Sequence, residues 1–436
     1  MQQFQIIVLF LFYFINSYGQ AGFRYTSDKN KIKIPFQFIN NLIFIPMNVN
    51  GVELTFLLDT GVEETILFSL QDKEHVEFKQ VETIRIRGLG NAAPIEGLKS
   101  SRNKVVISDD FIDYNHTIYV LLSEEVNISA AVGIPVNGIM GYGFFKDYPM
   151  KIDYINQKIS IHEKRTSKVT RTYRKYKKFS VILENNKPYI ETSFMIDTIP
   201  FHAKLLVDVG NSDAIWLFSN QMKSFSIPKN SFNDLLGHGF SGPVFGERAM
   251  LSSFGFDGFS FNKPIIAFPD SLSIKNVKLV PNRIGSIGAE ILRRFSVFID
   301  YKNAEFGFKK NKYYATSFTY NISGLEIQHN GLQWIAEKIK VNADNVMKTA
   351  ETMDFSYKFN LKPVFIIVNA RKGSPAALAG LKKNDIILTI NKKEVHLYSL
   401  EDINRMLKSE DGKHIIIEVE RLNQLLKFEF VLKSIF

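Results

Sequence analysis

The chain has 436 residues, of which 45% are hydrophobic and 22% charged, and its formal net charge is +10. This length suggests two to four domains of about 100–200 residues each, with enough apolar material for several cores. The chain has no cysteine, which excludes disulfides, thiolate metal sites and a lipid-modified cysteine. A protein of this size can be held together by its hydrophobic cores alone.

The N-terminus resembles a secretory signal. Ile6 to Ile15 form an unbroken apolar run of ten residues, too short to span a bilayer. Ser17 and Gly19 suit cleavage by a signal peptidase. We therefore predict a signal peptide over residues 1–19 and an exported protein that is periplasmic, cell-surface or secreted, with no stable membrane span after cleavage. No Lys or Arg precedes the run, so an uncleaved anchor is the alternative.

Short apolar runs broken by Gly, Asn, Asp and Lys dominate the chain up to about residue 310. Runs such as Ile32–Ile39, Leu42–Val49 and Lys104–Ser108 have the length of β-strands. Long amphipathic helices are scarce in this region. The pattern predicts a mainly β fold with glycine-rich hairpins.

Two segments of this β region are near copies of each other. Phe56–Gly61 ends in an Asp-Thr-Gly turn after a short apolar strand, and Lys204–Gly210 ends in an Asp-Val-Gly turn. The two aspartates, Asp59 and Asp208, lie 149 positions apart. Each turn therefore places one carboxyl group directly after a buried strand.

Two further pairs of segments follow in the same order. The glycine-rich segments 88–97 and 237–246 are again 149 positions apart, and Gly138–Gly141 matches Gly285–Gly288 at an offset of 147. Three pairs at nearly one offset indicate an internal duplication.

The duplication predicts two lobes of similar fold, over residues 30–163 and 179–312. Residues 164–178 between them are rich in Lys and Arg. We interpret this stretch as a solvated basic linker, with a contact to a membrane surface or a polyanion as the alternative. We expect no nucleic-acid partner.

The two Asp turns and the hydrophobic-hydrophobic-Gly segments ending at Gly141 and Gly288 resemble the two-lobed, single-chain aspartic peptidases of the retropepsin and pepsin type. The resemblance implies a duplicated β-barrel fold in which the two Asp turns meet at a pseudo-twofold axis. It also implies an endopeptidase acting on peptide or protein substrates without a metal or other cofactor.

The resemblance assigns catalysis to Asp59 and Asp208. Two carboxyl groups close together cannot both ionise, so one keeps a proton while the other acts as a base. The charged member can activate a water, and the neutral member can protonate the leaving nitrogen. The alternative for either residue alone is a carboxylate that caps its own turn.

Neighbouring residues are expected to support the two turns. Gly61 and Gly210 would let the chain turn so that both carboxyl groups face the axis. Thr60 matches the family threonine that binds the opposite turn, whereas Val209 lacks the corresponding hydroxyl. Ser212 matches the pepsin-like serine that hydrogen-bonds the catalytic carboxylate.

Substrate would contact Glu63 and two hairpins that follow the Asp turns. Glu63 resembles the acidic residue with which retropepsins hold the substrate backbone. Repeated glycines suit a mobile hairpin that closes over an extended peptide, although an ordinary hairpin without a lid role is the alternative. The predicted contact residues of the hairpins are Gly88, Gly90, Gly237, Gly239 and Ser241.

Residues 373–391 resemble the bacterial PDZ signature, with Asn384-Asp385 in place of the familiar Gly-Asp pair. The resemblance implies an α+β PDZ domain over residues 316–436 that binds an extended peptide by strand addition, including C-terminal peptides. Residues 336–360 form an insertion of unassigned structure. The predicted peptide-binding residues are Gly324, Leu325, Glu326 and Ile327 in the carboxylate-binding loop and Ile403 on the groove helix.

Other functional classes fit less well. Gly210-Asn211-Ser212 matches part of a trypsin-like nucleophile motif, but Asp213-Ala214 replaces the glycines that would follow it. None of the eight His residues forms a His-Glu-x-x-His zinc motif. The main alternative is a weak or inactive pseudo-peptidase that serves as a peptide-binding scaffold, since Val209 departs from the family pattern.

Overall fold

The computed structural model describes residues 22–436 apart from 71–72, 74, 87–94, 123–126, 223–224, 240–241, 276, 278 and 341–354. The predicted signal peptide lies outside the described residues. Strands account for 52% of the structure and helices for 11%, which confirms the mainly β fold class. Within the described part of the chain, no helix is long and apolar enough to cross a membrane.

We call residues 30–163 the first repeat and residues 179–312 the second repeat. The described residues up to 163 form short strands and two single-turn helices, α1 (Ser129–Val132) and α2 (Tyr142–Phe145). The strands are β1 (Arg24–Tyr25), β2 (Lys31–Pro35), β3 (Gln37–Ile39), β4 (Leu42–Val49), β5 (Val52–Leu58), β6 (Thr65–Leu67), β7 (Val81–Ile86), β8 (Ile95–Ser108), β9 (Phe111–Leu121), β10 (Gly138–Met140), β11 (Met150–Asp153) and β12 (Lys158–His162).

The described residues from 164 to 312 continue the β architecture. Their helices are α3 (Ser167–Thr172), α4 (Ser271–Ile274) and α5 (Ala289–Leu292). The strands are β13 (Lys177–Ser180), β14 (Ile182–Glu184), β15 (Lys187–Ile196), β16 (Ile199–Val207), β17 (Ile215–Leu217), β18 (Ser231–Gly239), β19 (Gly242–Met250), β20 (Ser253–Phe256), β21 (Phe259–Asn262), β22 (Ile265–Pro269), β23 (Arg283–Ile287), β24 (Phe295–Asp300) and β25 (Glu305–Lys310).

Each repeat contributes one large sheet. In the first repeat the order is β1-β9-β6-β10-β5-β4-β8-β7, with β3 beside β4. In the second repeat it is β18-β19-β22-β17-β23-β16-β15-β20-β21, with β14 beside β15. Strand β10 runs parallel to β5 and antiparallel to β6, and β23 has the same relation to β16 and β17. The same local topology therefore surrounds both Asp turns.

A third sheet, which we call the joint sheet, takes strands from both repeats in the order β13-β25-β24-β11-β12-β2. At its centre β11 pairs with β24, so that Met150 lies opposite Ile299 and Ile152 opposite Val297. All four side chains are fully buried and belong to the main hydrophobic core. Burial of this apolar sheet joins the repeats into one unit.

The segment predicted to be a solvated basic linker contacts the fold at a few residues. Residues 164–178 carry α3 and pack against the joint sheet. Arg165 forms ion pairs of 2.9 Å with both Asp300 and Glu305, and the buried Tyr173 stacks on Phe298. Asp300 at the end of β24 and Glu305 at the start of β25 supply these carboxylates, so Arg165 is held against the fold, whereas the other seven Lys and Arg residues of the stretch are exposed.

The described residues after 312 form a second core around one sheet with the order β26-β27-β28-β30-β31 and β29 beside β28. Helix α7 begins with a capping box between Ser399 and Asp402. The elements are β26 (Leu325–Lys340), β27 (Phe355–Ala370), α6 (Pro375–Leu378), β28 (Ile386–Ile390), β29 (Lys393–Glu394), α7 (Leu400–Leu407), β30 (His414–Arg421) and β31 (Gln424–Val431).

This C-terminal unit packs directly on the second repeat. Ile265 of β22 belongs to its core, and Phe232 of β18 contacts the rings of Tyr320 and Phe436. The unassigned insertion at 336–360 contributes to the long antiparallel hairpin of β26 and β27 as far as the structure describes it.

Candidate active site

Asp59 and Asp208 stand at equivalent ends of β5 and β16. The backbone N–H of Asp59 donates to the carbonyl of Met140 at 3.0 Å, and that of Asp208 donates to the carbonyl of Ile287 at 2.9 Å. Met140 and Ile287 end the strands β10 and β23 that run beside β5 and β16. The repeated topology thus fixes the backbone of both aspartates in the same way.

The structure brings the two predicted catalytic carboxyl groups together: a Cβ on Gly61 would lie 3.0 Å from Asp59 Oδ1 and 3.2 Å from both carboxyl oxygens of Asp208. The backbone N–H of Gly61 donates to Asp59 Oδ1 at 2.6 Å, and that of Gly210 donates to Asp208 Oδ1 at 3.1 Å. Each carboxyl group is therefore held by the backbone of the second residue after it and lies beside its counterpart from the other repeat.

The two glycines are required for a reason that differs from the predicted one. Both have negative φ, so neither uses the left-handed region. Instead, a Cβ on Gly210 would lie 2.2 Å from Asp59 Cγ, and a Cβ on Gly61 would lie 3.2 Å from Asp208 Oδ1. A side chain at Gly210 would overlap the opposite carboxyl group, and one at Gly61 would crowd it.

Both carboxyl groups have raised pKa values. They keep some accessible surface, but protein surrounds them on nearly all sides, and this loss of solvent is the main reason that the pKa of each is raised. The negative charge of Asp208 raises the pKa of Asp59 further. The guanidinium of Arg283 on β23 partly offsets the rise for Asp208. A pair in this environment can keep one shared proton above the ordinary carboxyl range.

Thr60 joins the two turns, as predicted from the sequence. Its buried hydroxyl donates to the carbonyl of Val207 at 2.6 Å and accepts from the N–H of Val209 at 3.0 Å. Val209 is buried and has no hydroxyl with which to return the contact. The link between the turns is thus one-sided.

Ser212 does not make its predicted contact with Asp208, and Glu63 bonds to the second repeat. No hydrogen bond joins the Ser212 side chain to Asp208 among the described residues; the Ser212 carbonyl accepts from Asn41 Nδ2 at 2.9 Å. Ser212 faces the C-terminal unit because its turn continues toward the interface with that unit. Glu63 accepts from Asn186 Nδ2 at 2.5 Å, which connects the first repeat to the second.

The two predicted substrate hairpins are present as paired strands. Strands β7 and β8 pair on either side of residues 87–94, so Gly88 and Gly90 lie outside the described residues. In the second hairpin, Gly237 follows a register shift between β18 and β19, and Gly239 pairs with Gly242. Ser241 lies outside the described residues.

Sequence reasoning missed two buried arginines of the second repeat. Arg283 contacts the rings of Tyr189 and Phe218, and its positive charge acts to lower the pKa of Asp208. Arg248 pairs with Asp213 and Asp234, at 2.7 Å each, and so connects the second Asp turn to β18. Neither arginine stands out in the sequence, since Arg283 begins the mixed strand β23 and Arg248 follows Glu247 in β19.

The predicted carboxylate-binding loop begins where Gly324 has φ +78°, and a Cβ there would lie 2.2 Å from Ser374 Cβ. Leu325 and Ile327 point into the C-terminal core. Ile403 is also fully buried in that core. Its side of α7 packs on the sheet, so Ile403 does not line the groove as predicted. Burial first, and then the charge of Asp234, raises the pKa of Glu326 to about 7.

A cavity of about 290 Å³ lies where the C-terminal unit meets both repeats. Backbone and side chains of Gly324 to Gln328 line it, together with Asn404 and Lys408 of α7. Ala131 on α1 and Gly237 on β18 close its other sides. The space between β26 and α7 is therefore bordered by the repeats and not by solvent alone.

The first repeat also touches the start of α7. A Cβ on Gly133, which caps α1, would lie 3.0 Å from Leu400 Cβ. Cα atoms of α1 lie within 8 Å of those of β26. Among the described residues, no group of three or more His, Asp or Glu side chains could hold a metal ion.

Comparison with known proteins gives one family. Residues 366–421 match the PDZ domain family model, inside the segment predicted from the sequence. The match begins in β27 and ends in β30, and it leaves the two repeats uncovered. The search of curated proteins gives no match. The C-terminal unit therefore contains a PDZ domain at residues 366–421, a module that binds peptides or protein partners.

Proposed function

We propose that the chain is an exported aspartic endopeptidase whose Asp59 and Asp208 share one proton and activate a water. The observation that carries the proposal is the close approach of two carboxyl groups from duplicated turns, in surroundings that raise both pKa values. A structural carboxylate that capped its own turn would have no reason to approach a second one so closely.

The chemistry follows from the shared proton. The ionised carboxylate takes a proton from water as the oxygen attacks the scissile carbonyl, while the protonated carboxyl hydrogen-bonds the developing oxyanion. Collapse of the tetrahedral intermediate breaks the C–N bond, and the dyad protonates the leaving nitrogen. One water is consumed, an acid and an amine are released, and the dyad returns to its singly protonated state.

An extended peptide would lie across the dyad between the two hairpins. Glu63 stands four residues after Asp59, and the β18–β19 hairpin carries Gly237 and Gly239. Closure of a hairpin would exclude water other than the attacking one. The PDZ domain would hold a peptide end near the cavity lined by Gly324 and Lys408.

Cleavage of a peptide library, with and without an aspartic-peptidase transition-state inhibitor, tests the proposal. We expect inhibitor-sensitive cleavage by the native chain and none by Asp59→Asn. Asp257→Asn is a matched control because Asp257 is exposed on a turn far along the chain from both Asp turns. Cleavage that survives Asp59→Asn in a folded protein would refute the assigned dyad.

A peptide-binding scaffold is the second candidate. It is favoured by the one-sided contact between the turns, since Val209 returns no hydrogen bond to the first turn. A scaffold would bind the transition-state inhibitor or library peptides without cleaving them. Peptide retention by the native chain without any product would select this function.

A further inference from the structure

The long hairpin of β26 and β27 extends beyond the core of the PDZ unit. Core contacts on these strands end at Ile327 and Phe365, and the register then shifts between His329 and Leu332 around Gly331, which has φ +76°. We call residues 332–336 and 357–363 the arm. None of the arm residues is buried.

One face of the arm is apolar and exposed. Trp334 pairs with Leu361, Ala336 with Phe359, and Leu332 with Pro363, so these side chains share a face because side chains alternate along a strand. Tyr357 lies two residues before Phe359 on the same face. The exposed fractions are 58% for Leu332, 69% for Trp334, 59% for Tyr357, 62% for Phe359 and 49% for Leu361.

Such a stripe is unfavourable in water and marks an interaction site. The residues that alternate with it are mostly polar, namely Gln333, Lys358, Asn360 and Lys362. The arm contains two lysines and no acidic residue, in a chain whose net charge is +10. Both lysines lie on the face opposite the stripe, so the arm has apolar and aromatic side chains on one face and its only charges, both positive, on the other. This division is the one found in segments that lie in the plane of a bilayer interface.

Tryptophan, tyrosine and phenylalanine beside lysine are the composition of segments that lie in a bilayer interface. The rings enter the headgroup region, and lysine side chains extend toward lipid phosphates. We propose that the arm binds the surface of an anionic lipid bilayer, with its Trp334 face in the headgroup region and Lys358 and Lys362 near the phosphates. This proposal is independent of peptidase activity.

Intrinsic fluorescence tests the proposal with the native chain. The chain has two tryptophans, of which Trp216 is 9% exposed and Trp334 is 69% exposed. Vesicles of phosphatidylcholine containing phosphatidylglycerol should shift the emission to shorter wavelength and carry the protein into the vesicle pellet. Vesicles of phosphatidylcholine alone should bind much more weakly, since each lysine contributes through anionic lipid.

Variants separate the arm from the rest of the surface. Phe359→Ser should weaken vesicle binding roughly tenfold or more, because a buried aromatic ring is lost from the interface. Lys358→Gln with Lys362→Gln should reduce the preference for anionic vesicles. Leu425→Ser is the matched control, as Leu425 is 77% exposed on another strand, and its binding should equal that of the native chain.

Three results would overturn the proposal. They are absence of binding to anionic vesicles, equal binding by Phe359→Ser and the native chain, and a dimer in solution that Phe359→Ser dissociates. The last result would assign the stripe to a second copy of the chain. Binding that is the same with and without phosphatidylglycerol would also contradict the role of the lysines.

Discussion

The two Asp turns share a backbone frame but differ in their supports. In both, the Asp N–H donates to the strand beside it and the following Gly N–H donates to the carboxyl group. Across the interface, Thr60 makes two hydrogen bonds to the second turn, whereas the side chain of Val209 can make none in return. The duplication has kept what positions the carboxyl groups and only one hydroxyl that joins the turns.

The electrostatic surroundings of the two aspartates also differ, and here it is the second repeat that supplies the stabilising group. Asp208 has Arg283 nearby, which lowers its pKa against the effect of burial, whereas Asp208 itself raises the pKa of Asp59. The first repeat therefore supplies the mechanical link and the second repeat supplies the compensating charge. Each repeat therefore supplies a different part of the support for a single site.

The largest expected effect comes from removing either carboxyl group. Asp59→Asn and Asp208→Asn should each lower kcat/KM by at least about 100-fold, because acid–base catalysis by the pair needs both members. Equal losses would show that the repeats are equivalent in chemistry despite their unequal supports. A loss confined to one variant would show that the two aspartates are not chemically equivalent. Kinetics on one inhibitor-sensitive peptide would measure both losses.

Stability should depend on the hydroxyl of Thr60 in the first turn but not on the side chain of Val209 in the second. Thr60→Val leaves the N–H of Val209 and the carbonyl of Val207 unpaired, so we expect a loss of about 1–3 kcal/mol in the free energy of unfolding. Thr60→Ser keeps a hydroxyl and is the control. Val209→Thr should leave stability equal or higher. Urea unfolding measures all three, and a strongly destabilised Val209→Thr would show that the turns are not equivalent.

Burial of the dyad, together with the charge repulsion within it, predicts an unusual pH dependence of stability. A carboxyl group whose folded pKa is raised destabilises the fold once pH exceeds the unfolded value near 3.8, and this cost is absent below it. Asp59→Asn should therefore raise the melting temperature near pH 7, by about 2–4 °C per kcal/mol gained. The gain should vanish near pH 3, and a gain that persists there would have another cause.

Removing the charge of Arg283 should raise the pKa of Asp208 and, through the shared proton, shift the titration of the whole pair. Without the nearby cation the neutral carboxyl is favoured, so the pKa of Asp208 rises. The acidic limb of the pH–activity profile should then move upward by roughly one pH unit in Arg283→Gln. Arg283→Lys keeps the charge and should move it less. An unchanged limb with lower activity would assign Arg283 a packing role only.

The smallest expected effect concerns Glu326, a carboxyl group outside the dyad whose pKa is also raised. Its pKa is about 7 because of burial and the charge of Asp234. As pH rises through 7 it ionises and should repel a peptide carboxylate in the adjacent cavity, so binding of a C-terminal peptide should weaken a few-fold. Glu326→Gln should bind independently of pH in this range, measured by fluorescence anisotropy. Peptide binding that weakens as pH falls would contradict repulsion of the peptide by ionised Glu326.

The close approach of Asp59 and Asp208 could be predicted from the sequence because its signals are local. An Asp-x-Gly turn after an apolar strand, repeated at one spacing, places Asp59 and Asp208 without knowledge of distant contacts. The PDZ signature at residues 373–391 is local for the same reason. Thr60 was also predicted correctly, since its partner is the equivalent turn.

The rest depends on packing between segments far apart in the chain. Arg283 and Arg248 meet carboxyl groups that only the folded sheets bring near. Ser212 was assigned to Asp208, but its turn faces the C-terminal unit, which no local pattern reveals. The side of α7 on which Ile403 lies is likewise decided by the sheet beneath it.

The central claim is that one proton is shared between the repeats, and carboxyl NMR tests it without any substrate. With carbon-13 at the aspartate carboxyl groups, the signals lost in Asp59→Asn and Asp208→Asn assign the pair. We predict that both signals respond to the same two titration steps and that the upper step lies well above 3.8, the ordinary value. Two independent titrations, each near the ordinary carboxyl pKa, would contradict a shared-proton dyad.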